Sequence, residues 1–185
     1  MALLEAWEIW TPRLLIRPMQ PEDCDVWHHC RALMPFDPYT DTPAQSREAL
    51  MRMQRRPHLM APGWQQFAVL GRSGAPGGGR ADEGPFLGDF GVGFEDPSPG
   101  QAMLGFAMMP EARGLGLAQE AGQALLERLF AQGLRRVAAV TDIRNLPAQR
   151  LLGRLGFAQE ARYRQSWWDG NGWQDELGFA RLVAD

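Results

Sequence analysis

The segment Pro110–Ala121, PEARGLGLAQEA, constrains this chain more than any other. It follows the apolar run Met103–Met109 and opens a helix that continues to about Ala131. A strand, a tight glycine turn and a helix can together hold a phosphate on backbone N–H groups at the positive end of the helix. Arg113, Gly114, Gly116 and Ala118 put small residues in alternation where a ligand would pass the backbone.

The surrounding pattern mixes both periods. Arg13–Pro18 predicts a first strand, and Pro21-Glu22-Asp23 starts a helix to about Leu33. Thr42 or Ser46 can cap a second helix that ends before Pro57. Strands are predicted at Gln65–Leu70, Phe86–Phe94 and Gln101–Met109, with a surface loop at 74–85 and a turn at 96–100. The glycines of FLGDFGVGF suggest close backbone approach. After the opening turn, Leu117, Ala121, Ala124, Leu125 and Leu129 form one apolar helix face. Gly133 suits a left-handed cap, and Leu134–Thr141 reads as a buried strand. Asn145 caps a short helix that stops at Gly156. Strands near 157–168 and 173–183 flank Asp169-Gly-Asn-Gly, a hairpin signal.

This order predicts an α/β chain of the α+β type. Its central sheet is mixed and mostly antiparallel, with helices on both faces and one parallel pair around 101–141. At 185 residues and 45% hydrophobic content, one domain over 1–185 is expected. A net charge of −3 offers no broad nucleic-acid surface. No apolar run reaches the ~20 residues of a membrane helix. MALLEAWEIW lacks a basic n-region, so the expectation is no signal peptide and a cytoplasmic protein. All 19 basic residues are Arg, which excludes a lysine Schiff base and a phosphate-loop lysine. Cys24 and His28 would share a helix face, but no second ligand pair accompanies them, so no metal site is expected.

Three readings of the glycine turn compete. Gly114-x-Gly116 is half of a dinucleotide fingerprint, with Gln119 where Gly or Ala is needed. The glycines can also simply make a tight turn. The third reading rests on a resemblance. Arg113-Gly114-Leu115-Gly116-Leu117-Ala118 is similar to the acetyl-CoA signature of the GNAT-superfamily N-acetyltransferases. Pro110-Glu111, Glu120-Ala121, Asn145, Leu155-Gly156-Phe157 and Trp173 with Asp175-Glu176 fall at that family's spacing. The chain most resembles the branch that acetylates N-termini of ribosomal proteins and related amines.

The resemblance implies a GNAT fold whose parallel strands splay apart, with a bulge creating the gap. It implies acetyl-CoA as co-substrate, without a metal. The pyrophosphate would lie on the N–H groups of Gly114, Leu115, Gly116, Leu117 and Ala118, with Arg113 adding charge. The pantetheine arm would bond to strand backbone at Ala107, Met108 and Met109, and Asn145 would approach it from the far side. The thioester carbonyl would be polarised by a strand N–H, that of Met108 or a neighbour. The partner would be a small-molecule or peptide amine, with no membrane or nucleic acid. Phe36, Asp37 and Tyr39 would line its side of the site. Independently of the resemblance, Trp167 and Trp168 point to opposite faces of a strand, so one of them is expected to be exposed as a homodimer contact or a substrate wall.

The chemical half departs from the family pattern. Met103 stands where many relatives carry a glutamate, and Ala148 and Leu152 stand where they carry a serine or tyrosine acid. Asp89 and Asp142 remain as candidates to receive a proton. A lysine amine (pKa ~10.4) costs roughly 3 kcal/mol more to hold neutral at pH 7 than an α-amine (~7.7–8.0). The expected acceptor is therefore an α-amine or another weakly basic amine. The alternative is a CoA-binding module that has lost catalysis.

Overall fold

The structure is a computed structural model that describes residues 7–36, 41–56, 58, 60–72, 83–94 and 100–185. The strands are β1 (Ile9–Trp10), β2 (Leu14–Pro18), β3 (Gly63–Arg72), β4 (Glu83–Phe94), β5 (Gln101–Met108), β6 (Arg136–Asp142), β7 (Ala158–Trp168) and β8 (Trp173–Leu182). The helices are α1 (Cys24–Ala32), α2 (Pro43–Gln54), α3 (Leu117–Ala131) and α4 (Leu146–Arg154). One sheet runs in the order β1-β2-β3-β4-β5-β6-β8-β7, and among the described residues only β5 and β6 pair in parallel. The mixed, mostly antiparallel sheet is the one expected. The loop expected at 74–85 and the turn at 96–100 lie largely outside the described residues. At the edge of the first, Glu83–Pro85 belongs to β4.

Alternation along the strands sends side chains to two cores. Phe67, Val69, Phe90, Val92 and Leu104 meet Leu117, Leu125, Leu129 and Leu152 on the α3–α4 face. Leu15, Ala68 and Leu70 meet Cys24, Trp27 and Leu50 on the α1–α2 face. The buried stripe of α3 includes Gly122 and Leu126, while Ala124 is only half-buried. A Cβ on Gly122 would sit 2.9 Å from Leu155 Cδ1 and 3.2 Å from Phe90, so α3 packs there at close range. Thr42 caps α2 through the Gln45 N–H, and Gly133 follows α3 at φ +97°. The 169–172 hairpin closes with Asp169 Oδ1 accepting the N–H groups of Asn171 and Gly172.

A clip ties the first strands to the start of α3. Glu120 accepts from Thr11 Oγ1 at 2.6 Å and from Arg13 Nε at 2.7 Å, while Arg13 Nη1 donates to Leu115 O at 3.1 Å. Burial works to raise the Glu120 carboxyl, and the Thr11 and Arg13 donors outweigh it, leaving the carboxyl below its ordinary range. Its stabilisation is present above the unfolded value of about 4.3 and is lost as pH falls through the lower folded value. Glu120→Gln is expected to cost about 1 kcal/mol at pH 7, ~3 °C in Tm, and less at a pH low enough to protonate the carboxyl in the folded state. Thermal melts at the two pH values check this.

Candidate active site

Pairing between β5 and β6 covers only Gln101–Met103 against Arg136–Ala138. Beyond it, β5 continues beside β4 to Met108, and β6 continues beside β8 to Asp142. Each strand follows its antiparallel partner, whose pairing is the stronger per residue, and the parallel ladder opens. The expected splay is present. The expected bulge is not, because the β4–β5 register runs without a shift.

The open edge of β5 carries unpaired backbone groups of known parity. The Met109 N–H donates to Leu87 O at 2.9 Å. Antiparallel bonding alternates, so the odd-numbered residues of β5 turn their backbone toward β4. Leu104, Phe106 and Met108 therefore turn theirs to the gap. This corrects part of the expected backbone set: Ala107 and Met109 point the wrong way, whereas Phe106 joins Met108. Ala107 still lines a cavity at this edge, and Met109 is not part of its wall.

Just past β5, the chain turns through Gly114 at φ +75° and Gly116 at φ +76°, a region that favours glycine. Gly116 is the N-cap of α3, and the first helical bond there is from the Glu120 N–H to Gly116 O. Among the described residues, the N–H groups of 114–119 donate to no acceptor. They form a row of open donors at a helix N-terminus. Arg113 does not extend over this row. Its Nε donates to Met108 O at 3.0 Å and its Nη2 reaches Leu33 O at 3.5 Å, so it staples the end of β5 to the end of α1. Leu115 contributes its N–H while its side chain is exposed.

A cavity of about 430 Å³ lies over this row, with Met108, Gly114, Leu117, Ala118, Asn145 and Pro147 in its wall. Arg150 and Arg154 also line it and have no ion-pair partner among the described residues. Sequence reasoning missed these two. Their spacing of four on α4 places both over one face, the only signal available. A second cavity, about 380 Å³, is lined by Trp64, Gln66, Met103, Leu152, Trp167 and Glu176. Both cavities include Met34, Phe36, Phe106, Asn145 and Ala148, so they meet at the splay. Asn145 Oδ1 caps α4 through the Ala148 N–H at 3.2 Å, leaving its amide NH₂ as a donor at the junction.

The positions that departed from the expected pattern converge here, since Met103, Ala148 and Leu152 all line the second cavity. The wall they form is apolar. Trp64 lies against glycine: a Cβ on Gly93 would be 2.9 Å from Trp64 Cε2. Trp167 is a cavity wall, while Trp168 stacks edge-on with Trp173 at 5.6 Å outside it. Asp37 and Tyr39 lie outside the described residues.

Neither aspartate proposed from the sequence is a free base. Asp142 lines the second cavity, but Arg144 donates to both its oxygens, at 2.9 and 2.6 Å, and holds its carboxyl low against burial. Asp89 lies outside both cavities, fully buried under α1. Burial pushes its carboxyl up to about 7, and Arg31 and the Trp27 indole act against that rise. Cys24, the first residue of α1, packs into the core, and His28 Nδ1 sits 2.9 Å from Ser46 Oγ. No helix among the described residues is long and apolar enough to cross a membrane.

The sequence profile described as Acetyltransferase (GNAT) domain matches residues 13–158. The chain belongs to the GNAT acetyltransferase family. Within that family it is 28% identical over 164 residues to the uncharacterized N-acetyltransferase p20 of Bacillus licheniformis, covering 84% of this chain and 85% of that one. It is 32% identical over 80 residues to the uncharacterized N-acetyltransferase YnaD of Bacillus subtilis, covering 43% of this chain and 47% of YnaD. The match thus spans about half the length of YnaD. The GNAT fold is shared with an acetyltransferase of Bacillus anthracis at TM-score 0.75 and 22% identity, over 96% and 99% of the two chains. It is shared with spermidine N-acetyltransferase of Vibrio cholerae, solved with CoA and spermine, at TM-score 0.77 and 17% identity over 94% and 98%. A ribosomal-protein-S5-alanine acetyltransferase of Vibrio fischeri superposes at TM-score 0.76 and 18% identity over 96% and 97%.

Proposed function

We propose that this GNAT chain, as one domain over 1–185, transfers an acetyl group from acetyl-CoA to a primary amine, a protein N-terminal α-amine or a small-molecule amine. The observation that carries the reading is the meeting of two cavities at the β5–β6 splay, one floored by the open N–H row of 114–119. The donor set fits a CoA ligand: backbone N–H groups suit its pyrophosphate, and Arg150 and Arg154 supply charge at the same cavity. Acetyl-CoA supplies an activated thioester carbonyl. The gap-facing N–H groups of Phe106 and Met108 hold the arm and polarise that carbonyl, and the amide of Asn145 steadies it from the other edge. Met103, Leu152 and Trp167 exclude water around the acceptor.

Replacing both Arg150 and Arg154 by Ala is expected to raise the acetyl-CoA KM by about tenfold, with kcat little changed, because both charges act in binding alone. Initial-rate kinetics with acetyl-CoA as the varied substrate checks this. The acceptor assignment is tested by comparing kcat/KM for α-amino peptides, small amines and lysine side chains. Preference for an α-amine or a weakly basic small amine is expected, and a lysine side chain outperforming all of them would overturn it. Calorimetric CoA binding without transfer to any amine would instead favour a binding module that has lost catalysis.

A further inference from the structure

The second cavity contains one carboxylate that makes no ion pair among the described residues. Glu176 on β8 lines it, and its only hydrogen-bond partner among the described residues is Ser166, whose Oγ donates to Glu176 Oε2 at 2.8 Å. The other oxygen, Oε1, is open. Asp142, its register neighbour on β6, is occupied by Arg144.

A distortion of the adjoining strand holds this arrangement. The β7–β8 register shifts between Tyr163 and Trp167. Inside the shift, Gln165 adopts φ +50°, the one positive φ at a non-glycine among the described residues. Asp175 locks it: Oδ1 accepts the Gln165 N–H at 2.9 Å, and Oδ2 accepts from Arg162 at 2.8 and 2.6 Å. The bulge brings Ser166 onto Glu176 and Trp167 to the cavity wall. Strain of this kind persists where surrounding contacts enforce it, and bulges commonly re-aim side chains beside active sites.

We propose that Glu176 anchors the acceptor as an ammonium and then takes its proton, with Trp64 and Trp167 as the aromatic walls of that cation site. The proposal rests on the acetyltransferase reading above and assigns the base that Met103, Ala148 and Leu152 do not provide. Trp64, half-exposed, and Trp167 present ring surface to a cation beside a carboxylate. In the step, one N–H bond of the ammonium breaks and its proton passes to Glu176, directly or through one water. The freed lone pair forms the C–N bond at the thioester carbonyl carbon, and the C–S bond breaks. Sulfur leaves as thiolate and takes the second amine proton, giving amide and free CoA. Glu176 then returns its proton to solvent.

The test is Glu176→Gln, read by kcat, by the pH–rate profile and by calorimetric CoA affinity. The groups around Glu176 are Tyr163 and Ser166 on β7, Asp142 with Arg144 after β6, and Arg31 on α1. The expected result is a kcat lower by about 100-fold, loss of the acidic limb of the profile, and unchanged CoA affinity. Ser166→Ala, which keeps the carboxylate but removes its donor, is expected to move the acidic limb to higher pH. It carries the test if Glu176→Gln does not fold. A kcat within threefold of wild type with the acidic limb intact would overturn the proposal, as would an unmoved limb in Ser166→Ala. Wild-type protein that binds no CoA would instead bring down the acetyltransferase reading itself, and the proposal with it.

Discussion

Gly116→Val is expected to weaken acetyl-CoA binding by at least ~100-fold, about 2.7 kcal/mol, while the chain still folds. Gly116 sits at φ +76° as the N-cap of α3. A β-branched residue there is an outlier, so the turn must rotate to a negative φ. Rotation redirects the N–H groups of 115–117, which are the donors of the row. Space is not the issue in the unliganded chain, since a Cβ on Gly116 would meet only Arg13 Nη2, at 3.7 Å. Gly133→Val is the control. Gly133 has φ +97° and open space around it, but it follows the far end of α3. It should lower Tm comparably and leave CoA affinity unchanged. Calorimetry on both variants separates donor geometry from backbone strain.

Gly88→Ala is expected to be the most destabilising single methyl in the site's neighbourhood, at about 3 kcal/mol or roughly 6–12 °C in Tm. Its Cβ would lie 2.3 Å from Ala107 O and 3.0 Å from Met108 Cα, both backbone atoms of β5. No rotamer relieves such a contact, so β4 and β5 must separate. The displaced segment carries the gap-facing groups of Phe106 and Met108, and the acetyl-CoA KM should rise with the loss of stability. Gly91→Ala is the comparison. Its Cβ would meet Gln66 Oε1 at 2.8 Å, the end of a flexible side chain, and the expected loss is about 1 kcal/mol. Thermal melts and acetyl-CoA kinetics on the pair check both statements.

The sequence announced these features unevenly, for physical reasons. The turn was legible because glycine at 114 and 116 and the apolar stripe of α3 are local signals. Asn145 was legible because a cap and its helix are adjacent in the chain. The parity of β5 was not. Side-chain alternation shows which residues share a face, but which backbone groups reach the gap depends on pairing with Leu87, decided by tertiary contact. Arg113 read as a phosphate contact, and only the folded chain shows it clasping Met108 O and Leu33 O instead. Glu176 read only as part of the Trp173–Glu176 stretch at the family's spacing. Its relation to Ser166 depends on the bulge at Gln165, and nothing in RYRQSWW marks an inserted residue. The two-residue strand β1 is too short to show any period.

Acetyl-CoA-dependent release of free thiol by the wild-type protein, measured over a panel of peptides with free α-amines and small primary amines, tests the account most directly. Saturable release that requires an amine is predicted, with one N-acetylated product formed for each thiol. Release no faster than spontaneous thioester hydrolysis with every amine would contradict it.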